Sequence, residues 1–248
     1  MDILFGLFTS DNNAFLFTSI IAAVFAVASS WLTYRFVNRR EMVETHVMEA
    51  DAERQERVRA ELMKWSNDVN VAVDDLYGRL GGILQQNGYI ALNPAYVCAQ
   101  NGVWSVTHDY YMCSTLFLFG QFFGWIQLLR EDVNYEIFRN ARENTDLADA
   151  MLAVSKSLGD YPLTNCMGHD AQVFRLQQRA IADLFTVSNE GTPRMLRYHE
   201  FITRKDSAEF APHLDPLREL LVGISPEGDC RWPRIEHLYG TLGALKAQ

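Results

Sequence analysis

The sequence predicts an all-α protein: one N-terminal transmembrane helix, a charged helical stalk, and a cytoplasmic helical bundle. Three observations carry that expectation. Residues 14–34 hold no charged side chain, and Arg35, Arg39 and Arg40 follow at once. Apolar residues from Val58 to Ile83 recur at steps of three and four, which is the spacing of one helix face. No segment sustains the alternation of a half-buried strand, and no solenoid-length repeat is visible.

A bilayer core needs roughly 20 mostly apolar residues in one helix, because every backbone polar group must be satisfied within the segment. The run AFLFTSIIAAVFAVASSWLTY meets that length. The preceding residues carry Asp2 and Asp11 but no Lys or Arg. Arg35, Arg39 and Arg40 are therefore the topology determinants, and their asymmetry puts the N-terminus outside and the rest of the chain in the cytoplasm. The expected layout is a short extracytoplasmic tail at 1–13, the span at 14–36, a juxtamembrane stalk at 37–64 and the bundle at 65–248. The lipid bilayer is then the partner of residues 14–36, in a cell inner membrane. A cleaved signal peptide fits less well, since a basic leader region is absent and the apolar run continues through Trp31, Leu32 and Phe36. Ile3 to Phe8 is too short to span and suits the outer interface.

The stalk is dense in charge of both signs, with Glu53 four residues ahead of Arg57, an arrangement that supports an exposed helix. Glu49, Asp51, Glu53 and Arg54 interrupt any apolar seam between Val47 and Val58, which weakens a zipper there. Val58, Leu62, Trp65, Val69, Val73, Leu76, Leu80 and Ile83 form the stripe that should pack on the bundle, and Asn87-Gly88 supplies a left-handed stop. Asn93-Pro94 is a cap-and-proline signal for a short helix reaching Asn101-Gly102. Tyr110 to Leu129 is uncharged. Gln121 and Gln127 are costly in lipid, and the helix continues through Arg130, Glu131 and Asp132, so a buried core helix is expected, with a second span as the alternative. Gly120, Gly124, Gln127 and Glu131 share one side of it, a stripe for tight helix packing or, in a second span, for a membrane contact.

Thr145 opens a further helix that Gly159 closes, and Asp170 is a cap for the next, whose Val173, Leu176, Ile181, Leu184 and Phe185 keep helical spacing. Thr192-Pro193 reads as a helix start reaching about Lys205. Asp215-Pro216 repeats that signal before LRELLVGI, and Pro233 begins the last helix.

At 248 residues, the part beyond the span suits one domain of ordinary size. A net charge of −9 and a pI near 5.1 argue against a nucleic-acid partner, which needs a basic surface. Cys98, Cys113, Cys166 and Cys230 are widely spaced and read as free thiols in a cytoplasmic domain.

Candidates for chemistry are few. His108-Asp109 and His169-Asp170 resemble the paired ligands of the HD-type metal-dependent phosphohydrolases, which are all-helical, but no histidine lies between His46 and His108 to serve the first pair. Cys166-x-x-His169 has half of a zinc spacing, which Cys98, His108 and Cys113 would have to complete. No glycine-rich phosphate loop, Gly-x-Ser-x-Gly elbow or His-Glu-x-x-His pair is present. Asp75, Arg79, Gln121, Arg175, Gln178 and Arg179 form a possible polar cluster. Gathered together they would bind a small anion; apart, they are a solvated helix face with an Asp75–Arg79 pair. No catalytic, cofactor-binding or metal-ligating residue is assigned, and no cofactor is expected.

Ser114 to Asp132 (STLFLFGQFFGWIQLLRED) and Gln177 to Phe185 (QQRAIADLF) resemble segments of a loosely defined set of bacterial proteins with one N-terminal span and a helical cytoplasmic domain. The resemblance implies a bacterial membrane anchor and no particular chemistry. The expected function is interaction or scaffolding at the cytoplasmic face of the membrane, with a protein partner or a second copy. The alternatives are an HD-like hydrolase and a pore-forming effector with a second span at 110–129.

Overall fold

A computed structural model describes residues 10–97, 106–132, 145–160, 172–189 and 192–247. The chain divides into two compact units, 1–57 and 58–248. Helix α1, Ser10–Gln85, contributes to both.

In the first unit the helix runs through the apolar stretch and the stalk. Most side chains of 14–36, and those of Arg39 and Arg40, lie outside the described residues. Phe25, Trp31 and Tyr34 are described, and they are 72%, 57% and 66% exposed. The Ser29 hydroxyl donates to the Ala26 carbonyl at 3.0 Å and Thr33 to the Ser29 carbonyl at 2.8 Å, so these polar groups are satisfied within the helix itself. The Arg35 guanidinium lies 4.8 Å from the centre of the Trp31 ring. Farther on, Arg57 reaches Glu53 at 3.3 Å, the expected pair. Met42, Val47 and Met48 stay exposed.

The second unit begins with the stripe of α1. Val69, Val73, Leu76, Leu80 and Ile83 are all buried. The helix stops at Gln85 and Asn87 takes the left-handed turn at φ 60°, a conformation that its short amide side chain tolerates. Gly88 is required for a different reason. A Cβ there would run into the Tyr111 hydroxyl and the Gly82 carbonyl. A 3₁₀ turn, Gly88–Leu92, follows, and Asn93 ends it. The Asn93 side-chain oxygen then accepts from the Ala95 N–H at 2.9 Å, which makes a turn of residues 93–95. The helix expected at Asn93-Pro94 is therefore not formed over 94–97, and its remainder lies outside the described residues.

Helix α2, His108–Asp132, is the centre of the unit. It is the one helix, among the described residues, long and apolar enough to cross a membrane, yet 72% of that window is buried by the chain itself. Gly120 and Gly124 face Phe185 and Met195, so the small-residue stripe is occupied by this chain's own side chains. Gln121 donates to the Leu196 carbonyl at 2.7 Å, which meets its polar demand without lipid or partner.

Helix α3, Thr145–Gly159, and helix α4, Arg175–Phe185, follow. Asp170 lies outside the described residues; at α4 the Gln177 side chain accepts from the Phe174 N–H at 2.7 Å, half of a capping box. The next segment departs from expectation. Thr186–Asn189 and Thr192–Met195 are strands β1 and β2, paired antiparallel with Thr186 opposite Met195 and Asn189 opposite Thr192. The helix expected from Thr192 starts instead at Tyr198 as α5, Tyr198–Arg204. Proline is tolerated in β2 because each strand of a two-stranded sheet keeps a free edge. Helix α6, Ala211–Leu221, starts before the Asp215-Pro216 signal. Pro212 occupies its first turn, where no N–H is needed. Pro216 sits inside, and Asp215 pairs with Arg218 at 3.5 Å rather than capping. Helix α7, Trp232–Lys246, carries Pro233 in its first turn as expected.

Two features of α7 lock the bundle. Tyr239 stacks on Tyr77 of α1, with ring centres 4.3 Å apart and planes 12° from parallel. Arg234 is fully buried and donates to the carbonyls of Ser157 at 2.8 Å and Asp160 at 2.7 Å, so it caps the end of α3. Cys230 is disulfide-bonded, which corrects the expectation of four free thiols. Cys113 is free and buried.

Candidate functional site

Three helix faces meet in a cleft of about 310 Å³. Helix α2 supplies Phe122, Phe123, Ile126, Gln127 and Arg130, which lie three and four residues apart on one side. Met151, Leu152 and Ser155 come from α3. Arg175, Gln178, Arg179 and Ala182 come from one face of α4. The floor is apolar: Phe122, Phe123, Ile126, Met151 and Ala182 are all buried.

The polar groups of the floor are already committed. Gln178 donates to the Ser155 carbonyl at 3.0 Å and the Val173 carbonyl at 2.7 Å, while its oxygen accepts from the Ser155 hydroxyl at 2.7 Å. Both amide hydrogens are therefore used, and α3 is pinned to α4. At the far end Gln127 donates to Glu131 at 3.0 Å and to Asp183 at 2.5 Å.

Arg175 and Arg179 differ. Both are exposed at the mouth, and among the described residues no carboxylate, carbonyl or ring engages either one. Their placement opposes two local rules. Like charges one turn apart destabilise a helix by about 0.2–0.5 kcal/mol. Arg175, the first residue of α4, also opposes the helix dipole, and α4 has no acidic residue in its first turn. On a chain of net charge −9, this is a local conflict of the kind found at functional positions.

The expected polar cluster thus separates into three places. Arg79 leaves α1 for α2: it donates to Ser114 at 2.9 Å, Thr115 at 3.2 Å and the Tyr111 carbonyl at 3.3 Å, and covers the Tyr111 ring at 4.4 Å. Asp75 is exposed and forms no pair with Arg79, so the intrahelical pair is absent. Gln121 binds backbone, as above. Arg175, Gln178 and Arg179 alone converge, on the cleft.

A second cleft of about 360 Å³ holds His108, Asp109, Cys113, Lys205, Asp206 and Arg218. Its charges neutralise one another. Lys205 lies 2.7 Å from Asp206 and 3.7 Å from Asp109, and Arg218 lies 3.1 Å from Asp206. The Cys113 thiol donates to Asp109 at 3.4 Å. Burial first, then the Asp109 charge, pushes its pKa up to about 11, which leaves it a thiol at neutral pH and a poor nucleophile. The His108 ring sits 3.2 Å from the Ala91 carbonyl. Among the described residues no three His, Cys, Asp or Glu side chains come together to hold a metal ion. Cys98, Cys166, His169 and Asp170, needed for the zinc and HD arrangements, lie outside the described residues.

No protein-family model, curated protein or solved structure matches the chain. Function is therefore read from the residues. Sequence spacing placed Arg175, Gln178 and Arg179 on one helix face. It missed the opposite walls, because Ser155 and Leu152 carry no signal until α3 is laid against α4.

Proposed function

We propose that the chain is a single-span, membrane-tethered helical module that works by binding at the cytoplasmic face of an inner membrane. The carrying observation is the contrast between α2 and the N-terminal stretch of α1. Helix α2 is covered by its own chain, whereas Phe25, Trp31 and Tyr34 in the N-terminal stretch are each more than half exposed; lipid is the solvent that such side chains suit. Trp31 and Tyr34 stand beside Arg35, the aromatic-then-basic order of a membrane boundary. The anchor holds the bundle at the membrane and raises its effective concentration toward any protein partner or second copy held there.

Arg35, Arg39 and Arg40 support the cytoplasmic side. The disulfide of Cys230 pulls the other way, since such bonds persist in oxidising compartments. On this reading the bond is open in the cell and closes on oxidation. The test is a pair of C-terminal fusions, one fluorescent only in the cytoplasm and one a phosphatase active only outside it, with carbonate extraction of the membranes. Carbonate-resistant, fluorescent protein is the expected result. Release by carbonate would overturn the anchor; phosphatase activity would overturn the orientation.

A further inference from the structure

We propose that the cleft between α2, α3 and α4 binds a small organic oxyanion, with its apolar body on the phenylalanine floor and its carboxylate or phosphate head on Arg175 and Arg179. The inference goes beyond membrane tethering and does not depend on which side of the membrane the bundle occupies.

The size of the cleft limits the body. At about 30 Å³ per molecule in liquid water, 310 Å³ accommodates about ten non-hydrogen atoms, which means one aromatic ring or a short aliphatic chain. The volume lies at the small end of ordinary ligand sites. Phe122, Phe123, Ile126 and Met151 present it with apolar surface, and Met151 adapts to irregular shapes. The floor offers no spare side-chain donor, because the Gln178 amide donates to the Ser155 and Val173 carbonyls and the Ser155 hydroxyl donates to Gln178. A sugar or other polyhydroxylated body would find no side-chain donor there for its own oxygens.

The head group follows from the rim. Arg175 and Arg179 are one turn apart on the same face, exposed, and among the described residues no acid engages them. Arg130 lines the cleft from α2. Guanidinium forks match carboxylate and phosphate geometry, and an oxyanion between the two would relieve their mutual repulsion and the opposition of Arg175 to the helix dipole. The acids at the other end, Asp183 and Glu131, are tied to Gln127, which orients the ligand with its charge toward α4's first turns.

The test uses the full chain in phosphatidylcholine nanodiscs and three probes measured by titration calorimetry: phenyl phosphate, phenol and inorganic phosphate. Phenyl phosphate should bind at least about tenfold more tightly than either fragment. R175Q/R179Q should weaken it at least about tenfold while leaving thermal stability equal or slightly higher, since like charges are removed. Leu152→Trp, which fills the cleft from α3, should abolish binding without touching the arginines. Inorganic phosphate binding as tightly as phenyl phosphate would reduce the site to an anion patch and overturn the proposal. So would undiminished phenyl phosphate binding in either variant, or no binding by the parent chain.

Discussion

Gly120 is the position where one methyl group should be most informative. Gly120→Ala adds a Cβ on α2 that points into the ring of Phe185. That ring cannot swing aside: Phe117, Phe201 and Phe210 hold it with centroid distances of 5.9, 5.3 and 6.3 Å, and Phe185 is fully buried. Alanine in a helix gains about 1 kcal/mol over glycine, and overpacking a filled core costs about 1–3 kcal/mol. With four aromatic rings to displace, the upper part of that range applies, so the net loss is about 1–2 kcal/mol. For a domain of this size that lowers Tm by about 2–8 °C. Gly124→Ala is the internal control. Its Cβ meets the end of Met195, a flexible side chain that can yield, and gain and cost should cancel to within about 2 °C. Thermal unfolding of the full chain in detergent, followed by circular dichroism, measures both. Phe185→Leu should rescue Gly120→Ala in part by making room. A Gly120→Ala protein as stable as the parent, or a Gly124→Ala protein that falls as far, would refute the packing argument.

Other perturbations test separate parts of the fold. Arg79→Met removes three hydrogen bonds from α1 to α2, but Ser114 and Thr115 keep their bonds to the Tyr111 carbonyl at 3.1 and 2.7 Å; the loss in urea unfolding should be about 1–2 kcal/mol. The Glu200 carboxyl is held down to about 2, first by its bonds to Arg194 at 2.9 and 2.7 Å and then by the Arg197 N–H. Because its folded pKa lies below the ordinary glutamate value of about 4.3, its contribution is present above that pH and is lost as pH falls toward 2. Carbon-detected NMR titration of Glu200 should show that midpoint, and Arg194→Met should raise it, while the Arg197 N–H still holds it below the ordinary range. Cys113, with its pKa pushed up to about 11, should react with iodoacetamide negligibly at pH 7 and faster as pH approaches 11. Rapid alkylation at neutral pH in the folded protein would contradict its burial beside Asp109.

The long helices were legible because each carries a face that the period of 3.6 exposes. Val69, Val73, Leu76, Leu80 and Ile83 repeat at three and four and all are buried. Gly159 and Pro233 sit where α3 ends and α7 begins. The hairpin was not legible, since each strand has four residues, too few for alternation to register, and Thr192-Pro193 mimics a helix start. Asp215-Pro216 misled for a related reason: Pro212, three residues before Asp215, had already opened α6. One of the cleft's three walls was partly legible, because Arg175, Gln178 and Arg179 share a face at spacings of three and four. Arg79 belonged to a different place, since its long side chain crosses to α2 and nothing local in α1 reveals that reach.

The stacked tyrosines bear on how the protein is made. Tyr239 of α7 closes against α1, touching Tyr77 and, from Gln85, receiving a hydrogen bond across 154 positions of chain. A contact so distant along the chain forms late, because the loop it closes must be ordered before the contact rewards it. Until then the side of α1 that α7 covers stays open, on the same helix that carries the apolar N-terminal stretch. Damage to this seam should therefore appear as poor yield and degraded chains during biosynthesis, before it registers as a lower melting temperature in the molecules that finish folding.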